Sequence, residues 1–168
     1  MQSILEQAGA GAVAGCLATG PITAFMKAVH VNLPPDLRSP IPPREITERA
    51  TQMAGVRQDL SDGQRLGLSI AAHWAFGAAT GAMYAPLARH FHLPPLAGGI
   101  VFGLGVWASS YLGWLPAAGL YRSPSREPAG RHAMMVGAHV VWGAVLGILT
   151  EHLLEDDADD EPGRPGRR

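Results

Sequence analysis

The chain has 168 residues, 47% of them hydrophobic and 16% charged, with a formal net charge of -1. That length suits one domain, and the lack of a basic excess excludes the positive face that a phosphate backbone demands, so no nucleic-acid partner is expected. Cys16 is the single cysteine, which excludes an intrachain disulfide and a thiolate metal cluster.

The charges are unevenly placed. Residues 8–26, 66–87, 93–121 and 133–150 contain no Asp, Glu, Lys or Arg. A helix that crosses a bilayer needs about 20 predominantly apolar residues, so these runs predict four spans, at about residues 8–31, 66–89, 94–115 and 132–154. Glu6 and no basic residue precedes the first run. It therefore lacks the flank of a cleavable signal peptide and is expected to be a retained helix, with Cys16 as a small apolar residue inside it. In the long loop at 32–65, Pro42-Pro43 is a helix-start signal, and Ile46, Ala50, Met53 and Leu60 follow near helical spacing. A short helix lying at the membrane interface is expected there. His90 and His92 flank Phe91 in the second loop, a spacing that binds metal on an extended segment, but no carboxylate or thiol lies near in sequence, so they read as interfacial. Gly103-x-Gly105-x-x-Ala108 matches a dinucleotide fingerprint by letter only, because no strand precedes it. Residues 155–168, acidic and then rich in Pro, Gly and Arg, lack the apolar content to order themselves and are expected to be disordered.

Two segments repeat. Ala72-His73-x-x-Phe76-Gly77-Ala78-x-x-Gly81 recurs as Ala138-His139-x-x-Trp142-Gly143-Ala144-x-x-Gly147. Without a gap, Gly15 also aligns on Gly99, Ala24 on Ala108, and Arg38-Ser39-Pro40 on Arg122-Ser123-Pro124. The expected fold is all-α, a four-helix transmembrane bundle formed by parallel duplication of a two-helix unit, so that corresponding residues share a depth. Each span carries a small-xxx-small pair: Gly11 and Gly15, Gly77 and Gly81, Gly99 and Gly103, Gly143 and Gly147. In lipid, helices associate by close backbone approach, which glycine permits, so these faces predict a compact bundle and a route to a homo-oligomer. Of the 13 basic residues, all but Arg89, Arg164, Arg167 and Arg168 fall at or between the ends of spans one and two or spans three and four. The bias predicts cytoplasmic loops at 32–65 and 120–131 and both termini outside.

His73, Gly77 and Gly81 fall at i, i+4 and i+8, as do His139, Gly143 and Gly147, so each imidazole points where helices touch. Both lie roughly 10 Å into the hydrocarbon from the loop side. Lys27 and Tyr111 correspond under the repeat, and Lys27, His73, Tyr111 and His139 form a candidate polar cluster, because intramembrane ionisable groups usually face a bundle interior or a wet cavity. The plainer reading has Lys27 snorkelling, Tyr111 in the aromatic belt with Trp114, and each His in one interhelical hydrogen bond. Arg44-Glu45 and Arg126-Glu127, after each copy's first span, are a candidate loop pair at the bundle mouth, or an ordinary solvated one. Paired histidines at one depth are also what axial haem ligation needs, with Gly77 and Gly143 leaving room for the macrocycle. A titrating pair suits a proton-linked transporter or channel equally. No nucleophile elbow, phosphate-binding loop or His-Glu-x-x-His motif is present.

Ala24-Phe25-Met26-Lys27, Leu33-Pro34-Pro35 with Arg38-Ser39-Pro40, His73 with Phe76-Gly77, Pro116 with Gly119-Leu120, and Gly137-x-His139-x-x-Trp142 occur in that order. In these motifs the chain resembles the YagU-like inner-membrane proteins over roughly residues 11–154. The resemblance implies a small bacterial multi-pass membrane protein without an established activity. Two departures stand out: Tyr111 replaces an expected His, and Met135 an expected Glu one turn before His139. The expectation is a structural or stress-adaptation protein of the bacterial inner membrane, not an enzyme, without a cofactor. A small transporter or channel and a haem-binding electron carrier are the alternatives.

Overall fold

The computed structural model describes residues 3–32, 34, 41–90, 92–122 and 128–159. Arg38-Ser39-Pro40, Ser123-Pro124, Arg126, Glu127 and the end of the tail lie outside them. Among the described residues the chain is all-α, in the order α1 (Ile4–Asn32), α2 (Pro42–Met53), a 3-10 turn (Arg57–Asp59), α3 (Asp62–Ala88), α4 (Pro95–Trp107), a π-helical stretch (Ala108–Trp114), the single turn α5 (Leu115–Ala117) and α6 (Ala129–Asp159). The last helix thus continues five residues into the segment expected to be disordered. Helix already in progress needs only one more hydrogen bond per residue to continue, which outweighs the poor composition there.

Local chemistry sets the helix ends. Ser3 and Glu6 bond each other's backbone N–H groups at 3.2 and 2.6 Å, a reciprocal cap at the start of α1. Ser61 and Gln64 do the same for α3. Two turns end on a left-handed glycine. Gly55 (φ 75°) closes α2, with Val56 N–H donating to Thr51 O and Gly55 N–H to Gln52 O, and Gly119 (φ 70°) closes α5 in the same pattern through Leu115 O and Pro116 O.

Three helical segments are long and apolar enough to cross a membrane: Ile4–Asn32, Pro95–Ala117 and Ala129–Glu155. The 27-residue α3 falls outside that set, because Ser69, His73, Thr80 and its glycines dilute its hydropathy. Length alone would let it span about 40 Å at 1.5 Å per residue.

The helices associate as two closely packed pairs. A Cβ on Gly11 would lie 2.2 Å from Gly81 O, and one on Gly15 2.2 Å from Gly77 O, so α1 and α3 meet backbone to backbone and antiparallel. In the other pair the same distances are 2.1 Å from Gly99 to Gly143 O and 2.5 Å from Gly103 to His139 O, joining α4 to α6. The pairs join chiefly through α1 and α6, where Trp142 Nε1 donates to Gly15 O at 3.3 Å. Ala14, Ala18, Ile22, Met26, Met134, Met135, Ala138 and Leu146 fill the seam.

The helix α2 starts at Pro42-Pro43 and ends at Met53, and its inward face is mostly polar, with Ile46 the apolar residue packed against the core. Met53 is 67% exposed, whereas Glu45, Thr47 and Thr51 are buried. Most of these buried polar groups have partners: Thr47 and Thr51 donate to Pro43 O and Thr47 O, and Glu45 Oε1 accepts from Arg122 while its Oε2 has only an ion pair with Arg131 at 3.8 Å.

Candidate functional site

Where the glycine contacts stop, the helices part. Beyond Gly15 and Gly77 come Ile22 and Met26 on α1 and His73 and Ser69 on α3; beyond Gly103, the chain enters the π-helical turn that carries Ser110, Tyr111 and Trp114. These residues, with Met135 and His139 of α6, surround a cavity of about 240 Å³. Pro42, Pro43, Ile46 and Thr47 of α2 roof it. The extra residue per turn in a π-helix shifts Ser110 and Tyr111 around the axis relative to a continuous α4, and such turns recur at functional sites. No sequence signal marked it beyond Gly113, whose φ and ψ of -110° and -106° break the helix.

Among the described residues the polar lining consists of Thr47, Ser69, His73, Ser110, Tyr111 and His139, with no Asp, Glu, Lys or Arg. His73 Nε2 is buried and has no hydrogen-bond partner. His139 Nδ1 lies 2.8 Å from Met135 O. A carbonyl only accepts, so this nitrogen carries the proton and Nε2 of the neutral ring is left as an acceptor. Ser110 Oγ accepts from Trp114 Nε1 at 3.3 Å. A second void of about 30 Å³ lies between His73, His139, Thr19 and Trp142, large enough for one water.

The structure therefore brings three members of the expected cluster together and leaves out the fourth. Lys27 is exposed. Ile22 and Met26 are one turn apart on the cavity face, and the next residue is rotated by about 100°, which carries Lys27 to the outside. Tyr111 and Met135, the two departures from the resembled pattern, both line the cavity.

The loop pair also divides. Arg44 is exposed and bonds Glu48 at 3.0 Å. Its neighbour Glu45 is the centre of a buried ionic cluster: Arg122 Nη2 approaches Glu45 Oε1 to 3.0 Å and Arg131 Nη2 approaches Oε2 to 3.8 Å. Arg131, 1% exposed, also donates to the Tyr121 hydroxyl at 2.9 Å, and the Tyr121 ring packs tilted against that of the cavity residue Tyr111, with centroids 4.6 Å apart. This cluster ties α2 to the segments on either side of the 120–131 loop. Sequence reasoning read Arg122 and Arg131 only as topology markers; a basic residue at the very start of an apolar run was the available signal.

For haem the arrangement is less accommodating than the sequence suggested. Gly77 and Gly143 do not face open space: a Cβ on Gly77 would meet Thr19 Oγ1 at 2.1 Å, and one on Gly143 would meet Gly99 O at 2.3 Å. Neighbouring helices fill the room a macrocycle would take. His90 and His92 are exposed, and no group of three or more His, Cys, Asp or Glu able to share a metal ion occurs among the described residues.

The model of a family described as "Protein of unknown function (DUF1440)" matches residues 22–148. The chain belongs to this family. The DUF1440 match begins at the cavity residue Ile22 and includes the α2 roof, the π-helical turn and both histidines. No curated protein and no solved structure matches the chain.

Proposed function

We propose that this DUF1440 protein is a bacterial inner-membrane protein of the YagU-like kind, with four crossings, and that it binds a small uncharged molecule in the cavity beneath α2. The observation that carries the reading is His73 Nε2, a buried polar atom without a partner, in a cavity whose lining among the described residues has no Asp, Glu, Lys or Arg. A buried polar group left unsatisfied costs about 1–3 kcal/mol. A purely structural bundle gains nothing by keeping one, whereas a binding site recovers that cost when a hydroxyl or carbonyl arrives. The blind end of the cavity favours binding over a channel, since glycine-packed backbones close the bundle above it.

Duplication is supported by the matched pairing of α1 with α3 and α4 with α6 through corresponding glycines, with α2 lying in the longer of the two loops within the pairs, 32–65 against 120–131. The crossing of α3 is supported by its length and by its packing against α1 along the glycine face. The basic residues around α2 support a cytoplasmic position for the roofed end.

The test uses 4-ethylphenol, uncharged at neutral pH and small enough for the cavity, on detergent-solubilised protein carrying 5-fluorotryptophan. Of the four tryptophans, Trp114 lines the cavity and Trp74 does not. The expected result is a saturable shift of the Trp114 fluorine resonance, at least tenfold weaker for the anionic 4-ethylbenzoate and abolished by His73→Leu. Uniform movement of all four resonances, or movement of none, would defeat the proposal.

A further inference from the structure

The two helix pairs touch mainly along α1 and α6; on the opposite side α3 and α4 meet near the loop that joins them, where Tyr84 packs on Phe102 with ring centroids 5.1 Å apart. Between them runs a groove of about 410 Å³, walled by Phe76, Thr80 and Met83 of α3 and by Val101, Phe102 and Gly105 of α4. It is continuous with the cavity, because Phe76, Ser110 and Trp114 line both. The Phe76 and Trp114 rings, with centroids 6.3 Å apart and planes inclined by 43°, form the sill between them.

The groove faces the bilayer. Met83 is 60% exposed, Val101 53%, Trp114 46% and Phe76 38%, and all belong to segments read here as crossing the membrane. Its one hydroxyl on α3, that of Thr80, donates to Phe76 O at 2.7 Å and so presents the side chain's methyl without an unmet polar group. A Cβ built on Gly105 would meet nothing within 4 Å, so the depression there is unfilled by any neighbour. The cavity end is polar but uncharged, and the groove end is apolar and opens sideways.

We propose that the ligand is an uncharged single-tailed amphiphile that enters from the bilayer between α3 and α4. Its hydroxyl or carbonyl head bonds His73 in the cavity, and its hydrocarbon tail remains in the groove. The proposal rests on the binding reading above and adds to it the ligand class and the entrance. A tail already dissolved in lipid gains little from burial itself, since lipid is as apolar as the groove. What the groove supplies is an exit path, so that a head can reach the imidazole without its tail having to be enclosed. An ionised head is disfavoured because no countercharge lines the cavity among the described residues, and an unpaired charge in a low-dielectric site is costly.

The experiment compares 4-ethylphenol with 4-dodecylphenol, which share a head and differ in the tail, on the wild-type protein and on Gly105→Trp, where a large ring fills the groove without a clash at its Cβ. Both probes are expected to shift the Trp114 resonance of the wild type. Gly105→Trp is expected to weaken 4-dodecylphenol at least tenfold and leave 4-ethylphenol within twofold. A 4-dodecylphenol carrying a diazirine near its tail end should crosslink to Met83, Val101 or their groove neighbours, and excess unlabelled 4-dodecylphenol should suppress it. If Gly105→Trp leaves both probes unchanged, or the crosslinks scatter over the outer surface without saturating, the lateral entrance is wrong while cavity binding by 4-ethylphenol survives. If neither phenol shifts Trp114 in the wild type, the binding reading itself falls.

Discussion

Gly15→Ala is expected to lower the thermal midpoint of the detergent-solubilised protein by roughly 6–12 °C, corresponding to a loss of about 3 kcal/mol. The added methyl carbon would stand 2.2 Å from Gly77 O and 2.9 Å from Gly81 Cα. Both are backbone atoms, so no side chain can swing away and the helices themselves must separate. Separation would also pull Gly15 O away from Trp142 Nε1, the hydrogen bond that joins the two helix pairs. Gly99→Ala should act alike, because its Cβ would stand 2.1 Å from Gly143 O. Gly67→Ala is the internal comparison. It also lies in a helix, but a Cβ there meets nothing within 4 Å, so its midpoint should hold or rise, by up to about 1 kcal/mol of helix propensity. Equal destabilisation by all three would show that close packing is not what these glycines provide.

Glu45→Ala should detach the roof. The carboxylate is shared by Arg122 and Arg131 at 3.0 and 3.8 Å, and hydrogen bonds to charged groups are worth about 1.5–3 kcal/mol in buried settings. Arg131 is 1% exposed, and removal of the anion beside it raises the cost of keeping α2 docked. The expected outcome is a loss of about 2 kcal/mol together with faster reaction of a cysteine placed at the buried cavity residue Ser69, beneath the roof, in a Cys16→Ala background. Arg44→Ala is the matched control. Its ion pair with Glu48 is exposed, and such pairs contribute about 0–1 kcal/mol. Unchanged cysteine reactivity in Glu45→Ala would mean that the ionic cluster does not hold the roof.

Helix positions were legible because a charge-free run in this chain coincides with a helix interior: residues 8–26 fall within α1, 66–87 within α3 and 133–150 within α6. The histidines were legible as a site through the repeat, which put His73 and His139 in register with the packing glycines. Tyr111 came with them. Lys27 did not, because correspondence between copies fixes depth along a helix but a single residue step turns a side chain off the cavity. The inward face of α2 was not legible, because its burial is decided by Glu45 and two arginines remote in sequence. The π-helical turn had no compositional mark, and the groove beside it depends on how two helix pairs lean together, which no local pattern encodes.

The cavity lies within a membrane only if α3 crosses it, so the decisive measurement is the sidedness of the loops before and after that helix. Single cysteines at Gln58 and His92, both exposed, are placed in the Cys16→Ala background and treated with a membrane-impermeant maleimide, first on intact spheroplasts and then after lysis. The account predicts that His92→Cys reacts in intact cells and that Gln58→Cys reacts only after lysis. Reaction of both positions from the same side would contradict the four-crossing arrangement and the intramembrane cavity with it.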